Sequence, residues 1–216
     1  MTDTVRSPRP ALLGESATSS RVRAVVELAK RYDYDAPHSH QVECLAGTLF
    51  MELEPLHRLS REDRKLLEFA AILHDIGYYL TARGHHKHSL QLIMLESLPQ
   101  FTRSEKLVIA NLARYHRKAF PSSSHAAFAI LTEAEQKRVS LLAPLLRIAD
   151  GLDRSRKAVI KELSCEIHES HIVLRVTSSQ DATAELATVP IRSEMFLSVY
   201  GKRVEVEHHH IDVDKA

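Results

Sequence analysis

The stretch Glu68-Phe-Ala-Ala-Ile-Leu-His-Asp-Ile-Gly-Tyr-Tyr79 sets a histidine and an aspartate inside an apolar run. Such a run has to be buried, and an ionised carboxylate is expensive to bury unless it is paired or bound to a cation. Any fold containing His74 and Asp75 must therefore supply partners for them from elsewhere in the chain. Adjacent helical residues diverge by about 100° around the axis. A cation lying off the helix between the two can still take a nitrogen from one and an oxygen from the other. The chain has 14 histidines among 216 residues, so imidazole is plentiful.

The surrounding pattern is helical. Ser19 or Ser20 can cap a helix carrying Val22, Val25, Val26 and Leu28 toward Tyr32, and a second helix starts at Pro37 with Val42, Leu45, Leu49 and Leu53 on one stripe. Ser60-Arg-Glu-Asp63, Thr102-Arg-Ser-Glu105 and Thr132-Glu-Ala-Glu135 read as capping boxes, each opening a helix. Another helix runs from about His85 to Leu98, and Pro144 interrupts or restarts the one that ends near Arg156. After Lys157 the period changes. Cys165 to Val176 alternates around a polar turn as a β-hairpin, followed by a helix from about Pro190 to Tyr200 and a short strand at Val204 to Val206. The expected fold is mainly α: a leader over 1–18, a helical bundle of about six helices over 19–157, and a small α+β segment (hairpin, helix, strand) over 158–216.

Helical phase points further polar residues inward. His38 begins the stripe of Val42, Leu45 and Leu49; His116 lies one turn past Ile109 and Leu112; Asp150 is four residues from Leu146 on a helix with Val139 and Leu142. Several helices thus aim a nitrogen or a carboxylate at one interior, which a divalent metal explains better than separate core hydrogen bonds.

His38, then His74-Asp75, then Asp150, on successive helices, resembles the HD-domain metal-dependent phosphohydrolase superfamily. The stretches His38-Ser-His-Gln-Val42, Gly84-His-His-Lys-His-Ser89, Arg114-Tyr-His-Arg-Lys118 and Leu146-Arg-Ile-Ala-Asp-Gly-Leu-Asp-Arg154 resemble the C-terminal HD domain of the exopolyphosphatase / guanosine pentaphosphate phosphohydrolase family. The resemblance covers roughly 20–207 and implies an HD-type bundle. It implies His38, His74, Asp75 and Asp150 at a first metal and His88 and His116 at a second, with Asp75 bridging and either one or two ions bound. His85 or His86 could replace His88, His86 being the nearer alternative. Mixed nitrogen and oxygen donors suit Mn, Fe, Co, Ni or Zn better than Mg. The implied reaction is hydrolysis of a phosphate ester of a nucleotide or nucleotide-like substrate, with His74 and Asp75 central and Lys87, Arg117, Lys118 and Arg154 as charge partners for phosphate. The alternative is a metal-containing regulatory or nucleotide-binding module without turnover. That family's exopolyphosphatase site lies in actin-like N-terminal domains with glycine-rich phosphate loops; six glycines leave no room for them, so that mechanism is not carried over.

The charge balance of 29 basic and 28 acidic residues gives no footprint for nucleic acid. No apolar run approaches the roughly 20 residues of a membrane span, and the N-terminus lacks a secretory apolar region, so a cytoplasmic protein is expected. Cys44 and Cys165 read as two buried free thiols, His57, His125, His168 and His171 as exposed, and the hairpin edges make a homodimer conceivable.

Overall fold

The computed structural model describes the backbone of residues 11–211 and the side chains of residues 19–211. Most of the expected leader lies outside the described residues. The first helix, α1 (Ala11–Arg31), opens upstream of Ser19, and α2 (Ala36–Glu52) follows after a break at Tyr34-Asp35. Asp35 caps α2 by accepting from the His38 amide at 3.2 Å. After the single turn α3 (Glu54–His57) comes α4 (Arg61–Leu73), then a 3₁₀ turn over Ile76–Tyr79 and α5 (His85–Leu95). The helical part closes with α6 (Arg103–Tyr115), the single turn α7 (Ala126–Ala129) and α8 (Glu133–Gly151).

All three capping boxes form, each serine or threonine hydroxyl taking the N3 amide while the N3 carboxylate returns to the cap amide. Their placement fixes where α4, α6 and α8 start, and hence the phase with which each reaches the interior. Among the described residues six long helices thus make the bundle, as the periodicity predicts. Pro144 neither stops nor restarts α8, which runs through it. The core is continuous from Val25 and Leu28 through Leu49, Leu67, Ile72, Leu112 and Leu146.

The small sheet is built from β1 (Ile160–Ile167), β2 (His171–Ser178) and β3 (Arg203–His210) in that order. β1 and β2 form the antiparallel hairpin, with Cys165 opposite Leu174. β3 then adds in parallel to β2, Leu174 opposite Val206. Parallel pairing needs a crossover, and two helices supply it: α9 (Thr183–Arg192) and α10 (Glu194–Tyr200), both packed on α8. The predicted single helix near 190–200 is therefore two, and β3 is longer than Val204 to Val206. Side chains of α2 reach β1, Gln41 donating to the Ile160 carbonyl at 2.8 Å and Glu52 accepting from the Cys165 amide at 3.0 Å. The tail is thus bolted to the bundle.

Three smaller expectations are corrected. Cys44 is exposed on the outer face of α2 and Cys165 is partly buried, so neither is a core thiol. His57 is buried, held between the Phe50 carbonyl and the Leu59 amide. His125 is half-covered against Tyr115, whose hydroxyl lies 2.9 Å from its Nδ1.

Candidate metal centre

Five segments converge. α2 brings His38, the end of α4 brings His74 and Asp75, α5 brings His85, the end of α6 brings His116 and α8 brings Asp150. All six are buried. His38, His74 and Asp75 form one group of donors near a common point, and Asp75, His85 and His116 form a second. Asp75 belongs to both: its Oδ2 lies 3.7 Å from His38 Nε2 and 3.5 Å from His74 Nε2, while its Oδ1 lies 3.2 Å from His85 Nε2 and 3.6 Å from His116 Nε2. Asp150 Oδ1 stands 3.6 Å from both His38 Nε2 and His74 Nε2.

The imidazoles are oriented from behind. His74 Nδ1 donates to the Ala71 carbonyl and His116 Nδ1 to the Ala113 carbonyl, both at 2.6 Å. His85 Nδ1 donates to the Ala82 carbonyl at 3.1 Å, and His38 Nδ1 donates to Asp153 Oδ2 at 2.8 Å. A carbonyl can only accept, so Nδ1 carries a proton in each ring and Nε2 turns to the interior, where its lone pair is the one an ion would take. The consequence is an arrangement that protein atoms alone leave unsatisfied. His38 Nε2 and His74 Nε2 are buried with no hydrogen-bond partner. His85 Nε2 and His116 Nε2 face each other at 3.3 Å. An unmet buried acceptor costs about 1–3 kcal/mol, and His38 and His74 place two of them within one small volume. A divalent cation resolves both, and orientation of ligand imidazoles by carbonyl or carboxylate is the usual support for such ions. The residues present fit the metal.

Electrostatics follow the same lines. Burial disfavours the charged carboxylates, yet His74, His85 and His116 hold Asp75 well below the ordinary carboxylate range. Asp150 is likewise held well below it, the nearby His38, His74 and His116 imidazoles and the Arg192 guanidinium outweighing burial. Burial pulls His38 down, but Asp150 and Asp153 win and raise it to about 9. His116, buried beside His74, is pushed down to about 3.

The histidine of α5 that joins the cluster is His85. His88, the expected ligand, is only partly buried and pairs with Gln91 Oε1 at 3.2 Å, and His86 lines a neighbouring cleft. Packing explains the choice. A Cβ on Gly77 would come within 2.0 Å of the His85 carbonyl oxygen, so the 3₁₀ turn lies directly on the first turn of α5. Ser89 Oγ accepts from the Gly77 amide at 2.9 Å and donates to the His74 carbonyl at 2.6 Å, which fixes the helix's rotation. Of the expected phosphate partners, Arg117 Nη1 lies 3.4 Å from His85 Nε2, Lys87 and Lys118 stand in the cleft beside it, and Arg154 is exposed without an ion pair among the described residues.

Sequence reasoning missed three residues. Asp153, fully buried, holds His38 and also accepts from the Ala158 amide at 2.8 Å; its i+3 spacing from Asp150 was a signal. Arg156, in a left-handed turn (φ 59°), reaches Asp75 Oδ2 at 2.6 Å and Asp35 Oδ2 at 2.9 Å. Arg192, from α9, reaches Asp150 Oδ2 at 2.8 Å. No periodicity marks either arginine.

These features define a helical domain organised around a buried histidine–aspartate cluster. Residues 20–193 match the family described as Ppx/GppA phosphatase, domain III, and the chain belongs to that family. It is similar to a guanosine-5'-triphosphate,3'-diphosphate pyrophosphatase of Aeromonas hydrophila, 29% identical over 161 residues that cover 74% of this chain and 32% of the relative. It is also similar to a protein of the same name from Vibrio parahaemolyticus, 32% identical over 103 residues, 47% of this chain and 21% of the relative. The chain thus spans a third or less of these relatives. No helix among the described residues is long and apolar enough to cross a membrane.

Proposed function

We propose that this chain is a metal-dependent phosphohydrolase of the HD type, hydrolysing a phosphate ester of a nucleotide or nucleotide-like substrate. The observation that carries the proposal is the pair of donor groups sharing Asp75, with buried Nε2 atoms that no protein hydrogen bond satisfies. His38, His74, Asp75 and Asp150 are the residues for one ion, and Asp75, His85 and His116 for a second. Bound there, Mn, Fe, Co, Ni or Zn supplies Lewis acidity and a water acidified toward neutral pH. The chain's own residues do the rest. Asp153 and the Ala71, Ala82 and Ala113 carbonyls hold the Nδ1 protons and so turn each Nε2 toward the interior. Arg156 pairs with Asp75 Oδ2, the oxygen that also faces His38 and His74, and Arg192 with the outer Oδ2 of Asp150, so the site can tolerate its buried charge before an anionic substrate arrives. Arg117 stands at the cluster's edge, where its guanidinium can grip a phosphate oxygen.

The relatives' name supports a nucleotide as substrate. Purified protein supplied with Mn²⁺ or Co²⁺ should hydrolyse members of a panel of nucleotides and generic phosphate esters, and His74→Ala and Asp75→Ala should abolish the activity. Activity unchanged in those variants overturns the assignment. A second reading, a metal-holding regulatory module without turnover, is favoured by the third or less of the relatives' length that this chain matches. Stoichiometric metal binding with no hydrolysis of any panel member would select it.

A further inference from the structure

Beside the cluster lies a cleft of about 360 Å³, lined by Gly84, His86, Lys87, Arg114, Lys118 and His125. No acidic side chain lines it, and none of Lys87, Arg114 and Lys118 has a carboxylate partner among the described residues. Three cations without a carboxylate partner in one concavity are out of proportion in a chain whose net charge is +1. The first turn of α5 opens on the same cleft. Gly84 caps that helix without a side-chain hydrogen bond, and a Cβ there would meet nothing within 4 Å, so the approach to the first amides is open. A helix start of this kind favours anions. A separate observation points the same way. His86 is more than nine-tenths buried, lines the cleft, and its Nδ1 has no hydrogen-bond partner; the buried Nε of Arg114 has none either. The wall is rigid: Arg147 donates to the carbonyls of Lys118 and Ala119 at 3.2 and 3.4 Å and so holds the segment after α6 in place.

From this we infer that the cleft is a phosphate site distinct from the metal centre. A dianion suits it better than a carboxylate, because three cations and a helix start converge there and because lysine and arginine donors match phosphate oxygens. The volume leaves room for a phosphate with several waters, each water taking about 30 Å³. The site is close to the metal centre: the His86 ring lies 5.9 Å from that of His85 and 6.3 Å from that of His116. α5, α6 and the segment after α6 serve both, His85 and His116 facing the cluster while His86, Lys87, Arg114 and Lys118 line the cleft. The phosphate has two possible sources. It is either a second phosphoryl group on the substrate, which makes the substrate a molecule with two separated phosphoryl groups, or free inorganic phosphate. The first source deepens the function proposed above and rests on it; the presence of the site does not.

Calorimetric titration of the metal-stripped protein with inorganic phosphate tests the site without any need for turnover. Wild type should bind one phosphate per chain. Lys87→Met and Arg114→Met should each weaken binding at least tenfold with unchanged far-UV circular dichroism, whereas Arg156→Met, on the cluster side, should bind as wild type does. Absence of binding at millimolar phosphate, or loss in Arg156→Met but not in the cleft variants, overturns the inference. Should a variant misfold, protection of the Lys87 amine from acylation by saturating phosphate in wild type replaces it, and no protection counts against the site. A metal-loaded assay then separates the sources. If the site takes a substrate phosphoryl group, Lys87→Met raises KM for a two-phosphoryl nucleotide at least tenfold more than for a one-phosphoryl one. If it takes free phosphate, added phosphate changes one-phosphoryl turnover in wild type and not in Lys87→Met. Complete inactivity would sink the hydrolase reading and leave the binding result standing.

Discussion

Replacement of Gly77 by alanine is a sharp test of how the site is assembled. The new Cβ would stand 2.0 Å from the His85 carbonyl oxygen, 2.6 Å from the Ser89 amide nitrogen and 2.9 Å from the His85 carbonyl carbon. All three are backbone atoms of α5, so no side chain can swing aside. Relief to a 3.0 Å contact requires the 3₁₀ turn and α5 to separate by about 1 Å, comparable to the smallest steps that repack a core. The same movement stretches the 2.9 Å hydrogen bond from the Gly77 amide to Ser89 Oγ beyond useful length and strips Ser89 from the His74 carbonyl. Overpacking costs about 1–3 kcal/mol, and leaving those buried groups unmet costs about 1–3 kcal/mol more. The sum, about 2–6 kcal/mol, is a large share of a typical domain stability of about 5–15 kcal/mol. At about 2–4 °C per kcal/mol for a chain of this size, Tm should fall by about 10 °C. Far-UV circular dichroism melts and urea titrations read this directly. Gly47→Ala is the control: its Cβ meets Glu68 Oε1 at 2.9 Å and Arg64 Nη2 at 3.3 Å, both tips of flexible side chains, so it should cost under about 1 kcal/mol. A Gly77→Ala protein that melts within 2 °C of wild type, or a Gly47→Ala protein that loses as much, refutes the reasoning.

Other outcomes follow from the same geometry. His85→Ala should lower the metal stoichiometry measured by calorimetry or elemental analysis, and His88→Ala should leave it unchanged, because His85 faces Asp75 and His88 pairs with Gln91. Asp153→Asn should weaken metal binding by about 10–100-fold through its loss of hold on His38 Nδ1, read by competition with a chromogenic chelator. A fitting divalent ion at 100 times its Kd should stabilise the fold by about 2.7 kcal/mol, reversed by chelation, as seen in the melting temperature. Burial depresses the pKa of His57, whose neutral ring donates to the Phe50 carbonyl and accepts from the Leu59 amide. A depressed histidine contributes stability that is complete above its unfolded value of about 6.5 and is lost as pH falls through the folded value. Melting temperature should therefore drop between pH 7.5 and 5, and His57→Gln should flatten that drop.

Much of this arrangement was legible because helical phase is set locally. The capping boxes at Ser60, Thr102 and Thr132 start three helices at fixed residues, and from there the 3.6-residue period carries His116 and Asp150 to the interior. His38 was legible for the same reason, lying one turn before Val42. The phase of α5 was not. Leu90, Leu92, Ile93, Met94 and Leu95 surround that helix with apolar residues and blur any stripe, so its rotation is decided by Gly77 and Ser89, contacts distant in sequence. The choice of His85 over His88 is a tertiary outcome. Arg156 and Arg192 were hidden for another reason: one lies in an irregular turn and the other arrives on a crossover, where no period applies. The parallel pairing of β2 with β3 could not be read from alternation, which is indifferent to strand direction.

The crossover has a mechanical consequence. A Cβ on Gly151 would meet Arg192 Cγ and Thr188 Oγ1, each at 2.8 Å, so the bare glycine is what lets α9 lie close enough for Thr188 to reach the Gly151 carbonyl and Arg192 to reach Asp150. The return path that β3 needs in order to run alongside β2 therefore doubles as a lever whose short arm ends on a buried acid. A loosened crossover would leave the Asp150 carboxylate without its guanidinium partner, with no candidate ligand replaced.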